Sequence, residues 1–356
     1  MSVTPRWWSL TGIQELGLLG VIALLVAVLT LCGGSVSQPR KDPVTGENYV
    51  VIKNRFLNGE QLVSLAKNTS FFAIMAIGAT IIIVAGGIDL SVAGIYVLAS
   101  LAGATLLNYW GPGKPAPPYW VVIPATVGLC AASGMLCGLI NGLGVVGLKL
   151  HPFIITLGTM SIFRGLAFVV TKGRSIGGFN ETFTTGFIDR RVPFGGEFIS
   201  PVPLCILVLV GLWGTFFLAR SVTGRKLHAL GGNELAARYA GLAVNRLKVL
   251  TYVLAGLMAG IAAMINIGVY GSASSGDGEG YELEVIAAAV VGGASLTGGR
   301  GTALGAVLGA LILRLIATGI VILDLDQKYS QIIIGLVIVI AATIDRALAS
   351  NRGMRT

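Results

Sequence analysis

Apolar residues in this chain form long runs separated by short polar segments. A helix needs about 20 mostly apolar residues to cross a bilayer, because each residue advances it by about 1.5 Å. The sequence predicts ten such segments, near residues 16–33, 69–86, 90–108, 120–146, 153–171, 202–219, 249–269, 285–298, 302–322 and 331–345. We therefore predict an all-α polytopic membrane protein, with one transmembrane domain over residues 1–356.

Two places interrupt this pattern. The eighth segment has only about 14 residues, roughly 21 Å of helix, whereas the hydrocarbon core is about 30 Å thick. Almost no loop separates the second segment from the third. Short or broken helices are therefore predicted near 86–91 and 285–299.

Basic residues set the predicted orientation. The segment 220–248 contains six Lys and Arg residues and one acidic residue, Glu234. Such an excess is typical of a cytoplasmic loop. The loop 271–284 has four acidic residues and no Lys or Arg, which fits the outside. Counting the spans from there puts both termini in the cytoplasm. In the outer loop 34–68, a short re-entrant or surface helix is predicted near 58–67.

Composition agrees with a lipid environment. Hydrophobic residues make up 54% of the chain and charged residues 12%, about half the charged share of a typical soluble domain. The net charge of +9 lies in short loops between apolar runs, so it indicates anchoring in a membrane and not nucleic-acid binding. The four cysteines also lie in apolar runs, and we interpret them as buried small hydrophobic residues: Cys32, Cys130, Cys137 and Cys205.

Glycines recur every four residues in three of the segments. The positions are Gly134, Gly138 and Gly142, then Gly256 and Gly260, and then Gly301, Gly305 and Gly309. Such rows lie on one helix face and allow another backbone to approach closely. Tight helix packing is the simpler interpretation, and a sliding or pore-lining surface is the alternative.

The residues 84–91 and 290–297 share the pattern Val-x-Gly-Gly-x-x-Leu-Ser/Thr. Transporters often contain paired, glycine-interrupted segments with the translocation path between them. Irregular backbone at membrane depth must be buried in protein or face a water-filled cavity. Both stretches are candidates for the path or its cytoplasmic gate, and two simple interhelical turns are the alternative.

Three charged residues lie within or beside the spans, namely Asp89, Arg164 and Arg314. A charge inside a membrane costs at least a few kcal/mol, so such residues suggest function. Asp89 could pair with one of the arginines, and snorkelling or a structural ion pair is the alternative. Few other carboxylates lie in the spans, which suggests a weakly polar conduit that does not power transport by itself.

Sequence motifs for catalysis are missing. The chain has no G-x-x-x-x-G-K-S/T phosphate loop and no H-E-x-x-H metal motif. Its two histidines, His151 and His228, fall in predicted cytoplasmic turns. We therefore expect no enzymatic activity, no cofactor and no metal site.

The segment 220–248 predicts a small helix at the cytoplasmic surface. Gly231 and Gly232 would permit a sharp turn into it, and Asn233 would cap the helix that starts at Glu234. Gly241 would end the helix, since glycine readily adopts a left-handed conformation. The alanine face of this helix, with Ala236 and Ala237, could fit a groove on a partner.

At this point the sequence resembles a known family. The segment 224–241 follows the pattern G-R-x-x-x-A-x-G-G-N-E-x-A-A-x-x-x-G, which is similar to the EAA-type coupling loop of bacterial ATP-binding-cassette (ABC) importer permeases. The similarity is greatest to the monosaccharide group, which includes ribose, xylose, arabinose and galactose permeases. Four other stretches resemble the same group in the same order: Gly86-Gly87-Ile88-Asp89-Leu90-Ser91, Leu139-Ile140-Asn141-Gly142, 152–160, and 281–288 continuing to Gly292-Gly293. Departures are Ala93, where the family usually has glycine, and a longer loop 34–68.

The resemblance implies a function and partners. Such a permease lies in the bacterial inner membrane, pairs with a second permease chain, and receives a pentose or hexose from a periplasmic binding protein. A cytoplasmic ABC ATPase would supply the energy through coupling residues Gly231, Gly232, Asn233, Glu234, Ala236, Ala237 and Gly241. Residues on or beside the path would be Asp89, Ser91, Asn141, Thr156 and Thr159.

Other function classes stay open from the residues alone. A self-sufficient, ion-coupled secondary carrier for a small polar solute is the main alternative. A membrane-embedded enzyme would need a pair of carboxylates, a metal cluster or a nucleophile constellation. A receptor would need a sensory domain.

Overall fold

The computed structural model describes residues 7–41, 48–111, 113–115, 117–194 and 197–326, together with separate residues from 329 to 343. Its long helices are α1 (Trp7–Cys32), α2 (Gly59–Val84), α3 (Val92–Tyr109), α4 (Tyr119–Leu148), α5 (Pro152–Thr171), α6 (Pro201–Arg220), α9 (Val244–Tyr270) and α11 (Ala303–Ile322). Shorter helices are α7 (Val222–Gly232), α8 (Glu234–Tyr239) and α10 (Tyr281–Val291).

Helix α2 forms the centre of the bundle and is buried along most of its length. It contacts α6, α9, α10 and α11, while α3 packs between α4, α5 and α9. Helices α1, α5 and α6 stay largely exposed on their outer sides. Those exposed faces are apolar, as expected for helices that contact lipid.

The described residues contain eight helices long and apolar enough to cross a membrane, which supports the predicted polytopic fold. The short eighth segment is confirmed: α10 has 11 residues, and the chain then continues to α11 without helix. The predicted tenth segment, 331–345, falls largely outside the described residues. The same is true of both ends of the chain, so the cytoplasmic termini stay a prediction.

The outer loop 34–68 differs from the prediction. A two-stranded antiparallel hairpin forms there from β1 (Ser35–Lys41) and β2 (Asn48–Asn54). No separate surface helix occurs near 58–67. Instead, Asn58 accepts a hydrogen bond from the Gln61 backbone N–H at 2.9 Å and caps α2, which therefore starts ten residues before the predicted 69. The cap extends the helix because it satisfies a backbone donor that would otherwise be free.

Short strands on the predicted outer side are β3 (Ile176–Gly177), β4 (Val192–Phe194), β5 (Glu197–Ile199) and β6 (Ser272–Ala273), and a single π-helical turn covers Thr184–Ile188. Loops predicted to share the outer side also contact one another. The Tyr270 hydroxyl donates to Asn68 at 2.6 Å, and β3 pairs with β6. This grouping agrees with the predicted orientation.

The glycine rows pack helices tightly, as the simpler interpretation predicted. A Cβ atom built on Gly134 would lie 2.1 Å from the Gly256 carbonyl oxygen, and one on Gly260 would lie 2.4 Å from that of Cys130. Helices α4 and α9 therefore meet backbone to backbone. Gly309 likewise packs on Ala288, but Gly301 precedes α11 and is not part of its helical row.

Of the four cysteines, Cys130 and Cys137 are buried, while Cys32 and Cys205 are exposed on the outside of the bundle, contrary to the prediction.

Candidate functional site

Helices α7 and α8 form the segment that the sequence singled out. They join at Asn233, whose extended backbone breaks the helix. The Asn233 side chain accepts a hydrogen bond from the Ala236 backbone N–H at 2.9 Å, which is the predicted helix cap. Gly241, with φ of +78°, ends α8 in the left-handed conformation, also as predicted.

Glu234 fixes α8 to the rest of the protein. Its carboxylate accepts a hydrogen bond from Lys248 Nζ of α9 at 2.8 Å and another from Arg238 at 3.2 Å. The hydrogen bond from Lys248 is the main reason that the pKa of Glu234 lies below its usual range, and Arg238 adds to the effect. The only acid of the basic segment is therefore an anchoring group.

The two alanines of α8 differ in burial. Ala237 is buried against the protein, whereas Ala236 is exposed. Leu235 and Tyr239 are also exposed, at 66% and 89%. The exposed face of α8 thus carries Ala236 with two large apolar or aromatic side chains.

Gly231 and Gly232 do not form the predicted sharp turn, because both belong to the last turn of α7. Gly231 is needed for a close approach. A Cβ atom on it would lie 1.9 Å from the Val84 carbonyl oxygen and 2.6 Å from the Gly299 nitrogen. A Cβ atom on Gly232, by contrast, would meet nothing within 4 Å. The change of direction occurs at Asn233 instead.

The two glycine-interrupted segments end their helices in the same way. After α2, the N–H of Gly86 donates to Ile83 and that of Gly87 donates to Ile82. After α10, the N–H of Gly293 donates to Val290 and that of Ala294 donates to Ala289. Both are glycine C-caps of the Schellman type, with φ of +81° at Gly86 and +96° at Gly293. Gly86 therefore corresponds to Gly293, one residue away from the alignment that the sequence pattern suggested.

Both interrupted segments meet α7. A Cβ atom on Gly86 would lie 3.6 Å from the Cα of Gly231, and one on Gly298 would lie 3.0 Å from the same atom. His228 belongs to α7 and not to a turn, and its Nδ1 lies 3.0 Å from the Gly299 carbonyl oxygen. Sequence reasoning missed Gly298, Gly299 and this role of His228, because the pairing depends on residues about 70 positions apart.

Three of the five predicted path residues form one buried cluster. Asp89 Oδ1 accepts hydrogen bonds from the Ser91 N–H at 2.7 Å and the Ser91 hydroxyl at 2.6 Å. Asn141 Nδ2, on α4, donates to the same hydroxyl at 2.6 Å. These side chains are almost wholly buried within this chain. The cluster therefore joins the start of α3 to α4.

Thr156 and Thr159 are not hydrogen-bonded to this cluster. The Thr156 hydroxyl donates to the Pro152 carbonyl at 3.0 Å, and the Thr159 hydroxyl donates to the Thr156 carbonyl at 3.2 Å. Threonine in a helix commonly binds its own preceding turn in this way. Thr156 is buried and Thr159 is half-buried on α5.

The arginines within the spans do not pair with Asp89. Arg164 donates to the Gly278 carbonyl at 2.8 Å and lies 3.6 Å from Glu282. Arg314 is hydrogen-bonded to Glu284 and stacks over the Phe72 ring, 3.8 Å from its centroid. Glu282 and Glu284 are two residues apart on α10, so they reach opposite sides of this short helix. Both arginines thus contact the first turn of α10 or the loop before it, which favours the structural alternative.

Comparison with known proteins decides the family. The family described as "Branched-chain amino acid transport system / permease component" matches residues 61–342. The ribose import permease protein of Haemophilus influenzae is 34% identical over 85% of this chain and 90% of its own length. The ribose import permease protein of Bacillus subtilis is 37% identical over 83% and 88%. This chain belongs to the monosaccharide ABC importer permeases.

The D-allose transport system permease protein of Escherichia coli is 32% identical over 83% of this chain and 86% of its own length. These relatives and the eight apolar helices show a multi-pass protein of the bacterial inner membrane. The permease is the membrane subunit of an importer for a monosaccharide. Membership of the family also implies partnership with an ATPase and a substrate-binding protein.

Proposed function

We propose that the permease imports a pentose or hexose and that the segment 220–248 transmits the work of ATP hydrolysis to its transmembrane helices. One observation carries this proposal: Gly231 of α7 packs directly against the ends of both interrupted segments. A displacement of α7 would therefore act on the chain between α2 and α3 and between α10 and α11 together.

The proposed coupling residues have separate tasks. Gly231 provides the close contact with Val84 and Gly299, while the outward side of Gly232 is open and is free to meet the ATPase. Asn233 and Gly241 define the two ends of α8. Glu234 ties the helix to Lys248, Ala237 packs inward and Ala236 faces the partner. The basic residues around α8 would suit a groove with acidic residues at its rim.

The proposed path residues lie beside the conduit. Asp89, Ser91 and Asn141 are buried within this chain, so they would shape the path by positioning α3 against α4. Thr156 and Thr159 belong to α5, a helix that is largely exposed in a single chain. We propose that a second permease chain covers such exposed faces, and that the sugar passes between the two chains.

The energy must come from outside the permease. Switching a two-state protein from 1:99 to 99:1 takes roughly 5.5 kcal/mol. We propose that a cytoplasmic ABC ATPase, on a separate subunit, supplies it, and that a periplasmic sugar-binding protein delivers the sugar. The permease itself would then need no cofactor and catalyse no reaction. Membrane lipid would surround it, and nucleic acid would not bind.

The Glu234→Lys substitution tests the coupling role. It replaces the carboxylate that binds Lys248 by a second positive charge, so α8 should leave its position. We expect uptake of radiolabelled sugar by cells expressing the complete importer to fall below about one tenth of the wild-type rate. A small misplacement of a functional element can by itself lower a rate about 100-fold. Membrane insertion of the permease, measured by immunoblotting of membranes, should stay normal.

Glu181→Lys is the matched control, since Glu181 is exposed on the predicted outer loop. It makes the same charge change away from α8 and should leave uptake near the wild-type rate. Normal uptake by correctly inserted Glu234→Lys would contradict the coupling role.

A further inference from the structure

The buried cluster around Asp89 contains two oxygen atoms without a hydrogen-bond donor. Asp89 Oδ1 is satisfied by Ser91, but Asp89 Oδ2 is buried and has no partner. Asn141 Nδ2 donates to Ser91, whereas Asn141 Oδ1 is likewise buried without a partner. A carboxylate and an amide oxygen can only accept, so neither can satisfy the other.

The surroundings of Asp89 supply no positive charge. Within the part of the chain that the structure describes, Cys137 of α4 and Tyr252 of α9 are the titratable groups that face it, and neither a thiol nor a phenol can carry a positive charge. The Tyr252 hydroxyl donates to the Ile88 carbonyl at 3.4 Å instead of to Asp89. Among the described residues, no Lys or Arg forms an ion pair with this carboxyl.

Burying an isolated carboxylate is costly, and such a group usually neutralises instead. The hydroxyl and the N–H of Ser91 favour an anion at Asp89, but burial is the larger effect. A sodium ion would require about six oxygen ligands in the manner of a hard cation. Of the side-chain oxygens in the cluster, only two are free, because Oδ1 and the Ser91 hydroxyl already make short hydrogen bonds. A proton shared between two acceptors needs only two oxygen atoms.

We propose that Asp89 is a proton-binding site, held as the neutral carboxylic acid with its Oδ2–H donated to Asn141 Oδ1. One proton taken from water then satisfies both free acceptors and removes the buried charge. The inference does not depend on the proposed coupling role. It places an uncharged acid at the junction of α3, α4 and α9, next to the Gly86 turn that contacts α7.

Infrared spectroscopy tests this directly on the purified permease in lipid nanodiscs at about pH 7. The wild-type spectrum minus that of Asp89→Asn should contain the carbonyl stretch of a protonated carboxylic acid. The spectrum minus that of Asp189→Asn should contain carboxylate bands instead. Asp189 is the matched control because it is also buried but pairs with Lys67 and Ser200.

Thermal unfolding gives a second readout. A protonated Asp89 holds one proton that the unfolded chain releases above about pH 4, so it makes stability fall as pH rises. Asp89→Asn keeps the shape and the donor, and removes this dependence. From pH 5 to 8, the Tm of the wild type should therefore fall relative to that of Asp89→Asn.

Two results would overturn the proposal. A carboxylate band in the Asp89 difference spectrum with a Tm that rises with sodium, but not with choline, would make the cluster a cation site. A carboxylate band without any sodium effect would make Asp89 a buried anion held by the start of α3. Failure of Asp89→Asn to fold, where Asp189→Asn folds, would also count against a neutral acid, since the amide preserves every hydrogen bond of that form.

Discussion

The backbone N–H of Gly299 donates a hydrogen bond to the Val84 carbonyl oxygen at 2.9 Å. This bond joins the end of α2 to the chain between α10 and α11, more than 200 residues later. Gly231 of α7 packs against both residues. The two interrupted segments are thus one contact region, and the segment 220–248 reaches it through Gly231 and the neighbouring turn of α7.

Replacing Gly231 by alanine should disconnect α7 from this region. The new Cβ atom would overlap the Val84 carbonyl oxygen, and neither backbone can yield without losing the Gly299 hydrogen bond. Overpacking of this kind costs about 1–3 kcal/mol. We expect sugar uptake and sugar-stimulated ATPase activity in proteoliposomes to fall at least tenfold.

Gly128→Ala is the control, because it adds the same methyl group within α4, outside the segment 220–248, where nothing lies within 4 Å. Alanine is favoured over glycine in a helix by about 0.5–1 kcal/mol, so this variant should be as stable as the wild type or slightly more so. Equal activity losses in the two variants would show that the Gly231 contact has no special role.

Removing the cap of α8 should weaken coupling without disturbing the bundle. In Asn233→Ala, the Ala236 N–H loses its acceptor, which typically costs about 0.5–2 kcal/mol. We expect faster amide hydrogen exchange in 234–239 and a lower rate of uptake, with an unchanged Tm. Asn233→Asp restores the acceptor and should recover most of the protection from hydrogen exchange and most of the uptake rate. An exchange rate in Asn233→Ala equal to that of the wild type would mean that other contacts hold the helix.

The anchoring of α8 should depend on pH only in the acid range. Because the pKa of Glu234 is lowered, the contribution of its ion pair is present above the usual value of 4.5 and is lost as pH falls through the lowered pKa. Between about pH 6 and 8 the protection of 234–239 from hydrogen exchange should stay constant. Glu234→Gln should reduce that protection about twofold to fivefold at neutral pH, a small effect because solvent screens this exposed pair. A pH dependence near neutrality would assign the anchoring to another group.

The two arginines at the outer end of α10 should differ in their effect on stability. Arg314 makes a hydrogen-bonded pair with Glu284 and stacks on Phe72, so Arg314→Gln leaves a largely buried carboxylate without its partner. Breaking such a pair costs about 3–5 kcal/mol. Arg164 donates one hydrogen bond to the Gly278 carbonyl, about 1.5–3 kcal/mol for a charged donor, and its ion pair with Glu282 is weaker because the atoms lie 3.6 Å apart, beyond hydrogen-bond contact. We expect a clearly larger fall in Tm for Arg314→Gln than for Arg164→Gln in nanodiscs; the opposite order would make Arg164 the main anchor.

Local sequence features predicted local structure well. The apolar runs placed the spanning helices, and the short eighth segment is visible from its length alone. Asn233 and Gly241 were predicted as the two ends of α8, because capping depends on residues within one turn. The start of α2 was placed too late, since residues 59–68 are polar enough to hide the continuation of the helix.

The sequence did not predict which distant residues contact one another. Asp89 suggested a partner among the arginines, but Arg164 and Arg314 bind acidic residues of α10 instead. Either arginine could pair with any of these carboxylates, and only the packing of the helices decides which of them meet. The shared glycine pattern also suggested the wrong alignment, because the position of a C-cap depends on where the helix ends and not on the order of the two glycines.

The sequence by itself determined that this protein spans a membrane many times, which segment carries an excess of basic residues, and to which family the chain is similar. Apolar run length and charge position suffice for this, because the bilayer acts on each segment separately. Only the tertiary structure decided that α7 meets both interrupted segments, and that Asp89 lies beside Ser91 and Asn141 without a positive charge. Those facts depend on helix packing, which brings together residues from 50 to more than 200 positions apart.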